Sequence, residues 1–132
     1  MREIDLQTER KTQLVNITDE VRSALGGNGE ASAALVYVPH TTAGVTNNKK
    51  IDPELVEDFE AAFERIVGED WRWQHEDADG PNAPAHFRAS LVSPQVLVPV
   101  EDGNLVLGTY QGIFFCEFDG PRERRVYVTT LA

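Results

Sequence analysis

Hydrophobic and polar residues alternate with a period of two in several short stretches of the chain. Ile4 and Leu6 alternate with polar neighbours near the N-terminus. Val96, Val98 and Val100 alternate in the same way later in the chain. Because successive side chains of a strand point to opposite faces, this spacing predicts strands with one buried face. The pattern therefore indicates a sheet-rich protein.

Other stretches predict further strands and the connections between them. Residues 12–17 are expected to pair antiparallel with the first strand, and residues 33–38 form a buried strand that ends at Pro39. A loop is expected at 46–50, where polar residues follow one another. These assignments place one hairpin and one buried strand in the first half of the chain.

The second half is dominated by strand patterns. Asp102 and Gly103 form a dipeptide that is typical of a tight hairpin turn. Residues 112–118 are apolar on both faces, which is typical of a central strand. Residues 125–130 alternate again and predict the last strand.

Two segments carry the signals of main helices. Thr18 is predicted to cap the first helix with its hydroxyl, and Gly26 to end it. Asp52 followed by Pro53 predicts the start of the second helix. Its apolar residues recur at three- and four-residue spacing: Leu55, Phe59, Ala62, Phe63 and Ile66. A short helix is expected at 85–92, with a strand as the alternative.

The sum of these elements predicts an α+β fold in a single domain over residues 1–132. A chain of 132 residues is long enough for one core. We expect a largely antiparallel, sandwich-like β-sheet covered by two main helices.

Charge and cysteine content narrow the function classes. The net charge of −10 argues against nucleic acid and against an anionic membrane surface as partners. No apolar run is long enough to span a bilayer, and no signal peptide is recognisable. Cys116, the single cysteine, lies in an apolar run and is interpreted as a buried thiol, with a catalytic cysteine as the alternative. We therefore expect a cytoplasmic protein.

The three histidines are the first candidates for chemistry. His40, His75 and His86 lie beside turn-forming or small residues. Three imidazoles can hold a metal ion and leave a position open for catalysis. Their spacing fits no local metal-binding motif, so only tertiary folding could bring them together. The residues alone leave two interpretations, one shared metal site or three unrelated loop histidines.

Charged clusters offer weaker signals. Glu76, Asp77 and Asp79 could supply oxygen ligands for magnesium, although a solvated acidic loop is the favoured interpretation. Arg122, Arg124 and Arg125 form the dense basic patch of the chain. In a strand, the first two share a face and the third points the other way. The patch would bind phosphate or carboxylate, or neutralise an acidic surface, for example of a neighbouring subunit.

Several motifs together resemble the YjbQ-like family of small proteins, often described as secondary thiamine-phosphate synthases. They include His-Thr-Thr-Ala-Gly from His40 and Asn-Ala-Pro-Ala-His ending at His86. The matching positions occur in the family's order and spacing: residues 39–44, 52–53, 75, 82–86, 89–91, 107–113 and 116–122.

The resemblance implies a homotrimer in which His40, His75 and His86 bind a divalent metal ion. Zinc is the expected ion and magnesium the alternative. The implied reaction joins a pyrimidine methyl pyrophosphate to a thiazole phosphate and releases pyrophosphate. The candidates for binding a small phosphorylated or anionic molecule are Thr41, Thr42, Asn48, Asn82, Arg122 and Arg124. The candidates for a catalytic role are Lys49, Gln111 and Arg122.

The sequence departs from the family pattern at Lys49, where the family usually has a glutamate. A carboxylate is thereby replaced by an ammonium group, which would remove a general base or strengthen a phosphate contact. A smaller change is Tyr110, in place of the usual tryptophan. Two other functions stay open, a metal-assisted hydrolase and a non-enzymatic trimer that binds a metal or an anion.

Overall fold

A computed structural model describes residues 1–50, 52–76 and 80–132. The helices in these ranges are α1 (Thr18–Leu25), α2 (Pro53–Ile66) and α3 (Ala83–Val92). The strands are β1 (Arg2–Gln7), β2 (Gln13–Asn16), β3 (Ala33–Tyr37), β4 (Ala43–Lys49), β5 (Gln95–Glu101), β6 (Asn104–Leu105), β7 (Gln111–Glu117) and β8 (Glu123–Leu131).

The strands form two antiparallel sheets, one with the order β1-β8-β3-β5-β6 and one with the order β2-β7-β4. Both sheets and α1 contribute to the main core, for example through Val21, Val36 and Phe115. A second cluster, which includes Phe118, packs the smaller sheet against α2 and α3. The predicted α+β class and antiparallel sheets are confirmed, with β7 central in its sheet. The described residues form three helices, which are the two predicted main helices and the short helix expected at 85–92.

Residues 83–92 form a helix, so the alternative of a strand is wrong. Pro84 lies in the first turn of α3, where the missing N–H of proline costs no hydrogen bond. The helix packs Ala85 and Ala89 against the second apolar cluster. The small size of these side chains allows α3 to approach the sheet closely.

The predicted pairing of residues 12–17 with the first strand is wrong. In β1, Ile4 lies opposite Val126 of β8, whereas in β2, Leu14 lies opposite Cys116 of β7. Thr8, which follows β1, fixes the point where the chain leaves the larger sheet. Its N–H donates to the Arg122 carbonyl at 2.9 Å, and its hydroxyl donates to the buried Glu117 carboxylate at 2.7 Å. These contacts hold the connection between β1 in the larger sheet and β2 in the smaller sheet.

The loop predicted at 46–50 is also wrong, since most of this stretch belongs to β4. Asn47 lies opposite Ile113, and Lys49 lies opposite Gln111. Backbone pairing with the central strand β7 outweighs the low strand propensity of asparagine and lysine.

Two of the three predicted helix-capping positions are confirmed. Asp52 caps α2 by accepting the Leu55 N–H at 3.0 Å, and Gly26 ends α1 in the left-handed conformation, with φ of 64°. Thr18, however, is not the cap of α1. Its hydroxyl oxygen accepts the Ile113 N–H at 2.9 Å, a tertiary contact that competes with capping.

The turn between β5 and β6 is a tight hairpin, as predicted. Asp102 and Gly103 have φ of 52° and 79°, and Val100 lies opposite Leu105. Such positive φ values at both turn residues match the twist of the two strands. None of the described helices is long and apolar enough to cross a membrane.

Candidate functional site

Most of the predicted site residues line one polar cavity of about 280 Å³. It lies where the β3–β4 loop, the start of α3 and the start of β8 meet. The lining residues are Pro39, His40, Thr41, Thr42, Asn82, His86, Asp119, Arg122 and Arg124. Tertiary folding therefore brings together residues that are more than 80 positions apart.

His75 and His86 contact each other at the edge of this cavity. Their ring centroids are 5.1 Å apart and the rings are perpendicular. His86 Nδ1 lies 3.1 Å from the Thr41 carbonyl oxygen, to which it donates when the proton is on Nδ1. The Nε2 atom of His86 is buried and has no hydrogen-bond partner. An imidazole with one nitrogen anchored to a carbonyl and the other unpaired is suited to bind a metal ion.

His40 lines the same cavity as His86, but one of its nitrogens is already engaged. Its Nε2 accepts the Arg125 N–H at 3.0 Å. Burial, followed by the nearby charge of Arg124, lowers the pKa of His40, which favours the neutral ring that this bond requires. The remaining nitrogen, Nδ1, then carries the proton, so metal binding by His40 would require it to lose that proton or to release Arg125.

Of the three histidines, His75 and His86 are in ring-to-ring contact in the structure. Within residues 1–50, 52–76 and 80–132, no group of three or more His, Cys, Asp or Glu side chains has the arrangement of a metal site. The structure brings the rings of His75 and His86 together, and metal binding by the three histidines stays a prediction.

Four buried residues form one hydrogen-bonded group at the cavity, and we call Thr8, Thr42, Glu117 and Arg124 the buried floor. Thr42 and Arg124 line the cavity itself. Arg124 donates through Nε and Nη2 to the two carboxylate oxygens of Glu117, and through Nη2 to the Thr42 hydroxyl at 2.8 Å. The Thr8 hydroxyl donates to the same carboxylate at 2.7 Å. Backbone N–H groups of residues 118 and 119 complete its shell. Both carboxylate oxygens of Glu117 therefore accept several hydrogen bonds.

The other arginine of the cavity is also paired within the chain. Arg122 Nη2 lies 2.8 Å from Asp119 Oδ2, which also accepts from Asn82 Nδ2 at 3.0 Å. The Oδ1 atom of Asn82 is buried without a hydrogen-bond partner. Arg125 is exposed, on the opposite face of β8 from Arg124, as the strand period predicts. Acidic residues of the same chain, Glu117 and Asp119, therefore neutralise the two arginines of the cavity.

Glu117 has no role in the sequence interpretation. A signal was present, because a carboxylate that continues a two-faced apolar strand must be buried, and a buried carboxylate needs a cation. The alternation of β8 offers Arg124 as that cation. Which cation pairs with it depends on how the sheet that contains β7 packs against the sheet that contains β8, and sequence patterns do not determine this packing.

Asn48, Lys49 and Gln111 do not join the polar cavity within one chain. With Asn47 and Tyr110 they line a separate depression at the far end of β4 and β7. Six residue steps of about 3.3 Å place Lys49 roughly 20 Å from the start of β4, which borders the histidine cavity. Lys49 Nζ bonds Asp52 Oδ2 at 3.3 Å.

Two remaining candidates have different outcomes. Cys116 is fully buried, and burial raises the pKa of its thiol to about 12, so the interpretation as a buried thiol is confirmed. In the proposed magnesium cluster, Glu76 is exposed, whereas Asp77 and Asp79 lie outside the described residues.

The chain matches one protein family along nearly its whole length. A family described as UPF0047 protein YjbQ-like matches residues 2–132. The UPF0047 protein YugU of Bacillus subtilis is 41% identical over 132 residues, covering 97% of this chain and 96% of YugU. The UPF0047 protein MJ1081 of Methanocaldococcus jannaschii is 39% identical over 124 residues, covering 93% and 88%.

Solved structures show the same fold. A crystal structure of a YjbQ/UPF0047 family protein from Clostridium acetobutylicum superposes with a TM-score of 0.91 at 37% identity, over 99% of this chain and 100% of that chain. The protein APE1520 of Aeropyrum pernix K1 has a TM-score of 0.90 at 36% identity, covering 99% and 97%.

Proposed function

We propose a function for this chain, which belongs to the UPF0047 protein YjbQ-like family. It is a metal-dependent transferase that acts on a small phosphorylated molecule. The proposed reaction is of the thiamine-phosphate synthase type, in which a pyrimidine methyl pyrophosphate and a thiazole phosphate combine and pyrophosphate leaves. The observation that carries the proposal is His86, whose Nε2 is buried without a partner beside the ring of His75.

His40, His75 and His86 would hold the ion, which we propose to be zinc, with magnesium as the alternative. When bound there, the metal supplies a Lewis acid for a phosphate or pyrophosphate oxygen. The Thr41 carbonyl fixes the orientation of the His86 ring. His75 and His86 present imidazole, a ligand that suits zinc better than magnesium.

The chain's own polar groups would bind the anionic part of the substrate. Arg122 and Arg124 place guanidinium groups in the cavity, and Asn82 leaves a buried amide oxygen unpaired there. Thr41 and Thr42 are further hydrogen-bonding groups of the same wall. Lys49 and Gln111 remain candidates for catalysis only if a neighbouring subunit brings the far end of β4 to the histidines.

The test measures metal content and synthesis together. We expect the purified chain to hold one zinc ion and the His86→Ala variant to hold none, with loss of thiamine phosphate formation from the two precursors. Leu91→Ala is the matched control, because Leu91 is exposed on the same helix and does not line the histidine cavity. Full metal content in His86→Ala would exclude the site, and a metal-loaded protein that forms no product would exclude the reaction.

A second candidate is a non-enzymatic metal- or anion-binding protein. It is favoured by Glu117 and Asp119, which neutralise both arginines of the cavity and so reduce their attraction for a substrate phosphate. A third candidate is a metal-assisted hydrolase that uses the same ligands. Screening phosphoester, amide and lactone substrates with and without a chelator separates these two, because only the hydrolase turns over a substrate and loses activity on chelation.

We also propose that the chain forms a homotrimer in the cytoplasm. Leu97 is 62% exposed on the outer face of the larger sheet, opposite Leu35 of the neighbouring strand. Tyr37 and Leu131 extend this apolar face across β3 and β8. Light scattering is expected to give three times the chain mass, and Leu97→Lys is expected to reduce it. A monomeric mass for the unmodified chain would contradict the proposal.

A further inference from the structure

We infer that a second cavity beside the histidine pair binds the planar, electron-poor heteroaromatic ring of the ligand. Its volume is about 390 Å³, and its lining is Trp73, His75, Ala83, His86, Phe87 and Ser90. The inference deepens the proposed function and rests on it for the identity of the ligand. It does not rest on turnover, because ring binding is measured separately.

Trp73 is held rigidly at one wall of this cavity. Its indole Nε1 donates to the Gly68 carbonyl at 2.9 Å, and its ring stacks on Trp71 with centroids 5.7 Å apart and planes 18° apart. Trp71 in turn lies directly on Gly68, where a Cβ atom would approach Trp71 Nε1 to 2.1 Å. Since only glycine permits this contact, the local sequence positions a stacked indole pair before any ligand binds.

The aromatic surface continues across the cavity to α3. Phe87 lies with its ring centroid 6.2 Å from that of Trp73 and is 48% exposed. Trp71 is 55% exposed. Aromatic rings held in fixed positions and open to solvent provide faces and edges on which another ring can stack.

Two observations favour a small heteroaromatic ligand over another occupant. His86 lines both this cavity and the polar cavity with Arg122 and Arg124, so one ligand could place a ring on one side of His86 and a phosphate on the other. The negative face of the indole and the net charge of −10 favour a cationic or electron-poor ring over an anionic one.

Tryptophan fluorescence tests the inference directly, because Trp71 and Trp73 are the two tryptophans of the chain. The probes are thiamine monophosphate, thiamine and, without an aromatic ring, ribose 5-phosphate, all added to protein treated with a chelator. We expect the two thiamine compounds to quench emission in the unmodified protein and in Trp71→Leu, and ribose 5-phosphate to leave it unchanged.

Calorimetry of the same probes supplies the matched comparison. Trp73→Leu and Phe87→Leu are each expected to weaken thiamine monophosphate binding, the former by about tenfold. Affinity for ribose 5-phosphate should stay the same in both variants. Circular dichroism and the unfolding midpoint establish that each variant is folded, and Phe87→Leu remains informative if Trp73→Leu is not.

Three outcomes would contradict the inference. Absence of quenching by both thiamine compounds would overturn the inference, as would equal affinity in Trp73→Leu and the unmodified protein. Emission that changes with protein concentration but not with probe would assign the aromatic surface to contact with a second copy, and would also overturn it. Quenching without any synthesis would uphold ring binding while excluding the proposed transferase.

Discussion

Two groups of residues next to the polar cavity differ in how their buried polar atoms are paired. The first is the buried floor, in which Glu117 accepts hydrogen bonds from Thr8, Arg124 and two backbone N–H groups. The second, which we call the histidine wall, consists of Trp73, His75 and His86, which line the second cavity, and His86 also lines the polar cavity. The His86 Nε2 atom is buried without a partner. Since unpaired buried polar atoms are rare, the contrast supports the proposal that the wall binds a ligand, whereas the paired carboxylate of the floor stabilises the fold.

The largest expected effect comes from breaking the floor. Glu117→Gln would leave the Arg124 guanidinium buried without its carboxylate, so we expect the free energy of unfolding to fall by about 3 kcal/mol. Urea denaturation measures this loss. Asp119→Asn is the matched control, because the Asp119–Arg122 pair is partly exposed and its loss should cost clearly less. Equal losses in the two variants would remove the distinction between a buried floor and the rest of the cavity.

The next effect concerns the attachment of the wall, since α3 carries both His86 and Arg88. Arg88 is fully buried and donates to the carbonyls of Phe63 at 2.6 Å and Val67 at 2.8 Å, at the end of α2. Arg88→Met keeps the apolar volume but leaves these carbonyls unpaired, so we expect a loss of about 2 kcal/mol in the free energy of unfolding.

Arg65→Met serves as the control for this variant, because Arg65 is exposed on α2. Denaturation curves of both proteins are compared at neutral pH. A loss at Arg88 no larger than that at Arg65 would show that α3 is held by apolar packing alone.

A small effect on stability is expected when the wall itself is changed. His86→Ala removes the unpaired Nε2 and one bond to the Thr41 carbonyl, so in the presence of a chelator the free energy of unfolding should change by less than about 1 kcal/mol. Without chelator, zinc should stabilise the unmodified protein and not the variant. A large loss in chelator would mean that His86 belongs to the structural part of the cavity.

The smallest expected effect is the pH dependence of stability at Glu69, which forms an ion pair with Arg88 of α3. Burial alone would raise the pKa of Glu69, but hydrogen bonds from Arg88 and Lys11 outweigh it and lower the pKa. A carboxylate with a lowered pKa in the folded state stabilises above its unfolded pKa, and this contribution is lost as pH falls through the folded value. Because Glu69 is 46% exposed, solvent screens these pairs.

Glu69→Gln is therefore expected to be slightly less stable than the unmodified protein at neutral pH. The difference should shrink as the pH falls below the unfolded pKa of about 4.3, and it should disappear only below the lower pKa of the folded state, where the carboxylate is protonated in both states. Denaturation midpoints measured across this range test the prediction. A difference that grows towards acid pH would contradict the assigned sign.

The sequence predicts those parts of the fold that depend on neighbouring residues. The cap at Asp52, the hairpin at Asp102 and Gly103, and the apolar alternation of β5 are confirmed, because each depends on interactions within a few residues. The failures at Thr18 and β4 share a cause. In both, a partner more than 60 residues away on β7 supplies hydrogen bonds that the local pattern does not contain.

The candidate site divides in the same way. The sequence by itself determined the α+β class, the capped helix α2 and, through its motifs, which side chains to examine. Only the tertiary structure decided that His75 meets His86, that Lys49 lies at the far end of β4, and that Glu117 neutralises Arg124. The physical reason is that local propensity acts over a few residues, whereas strand register and the packing of sheets, helices and loops bring side chains from distant segments together.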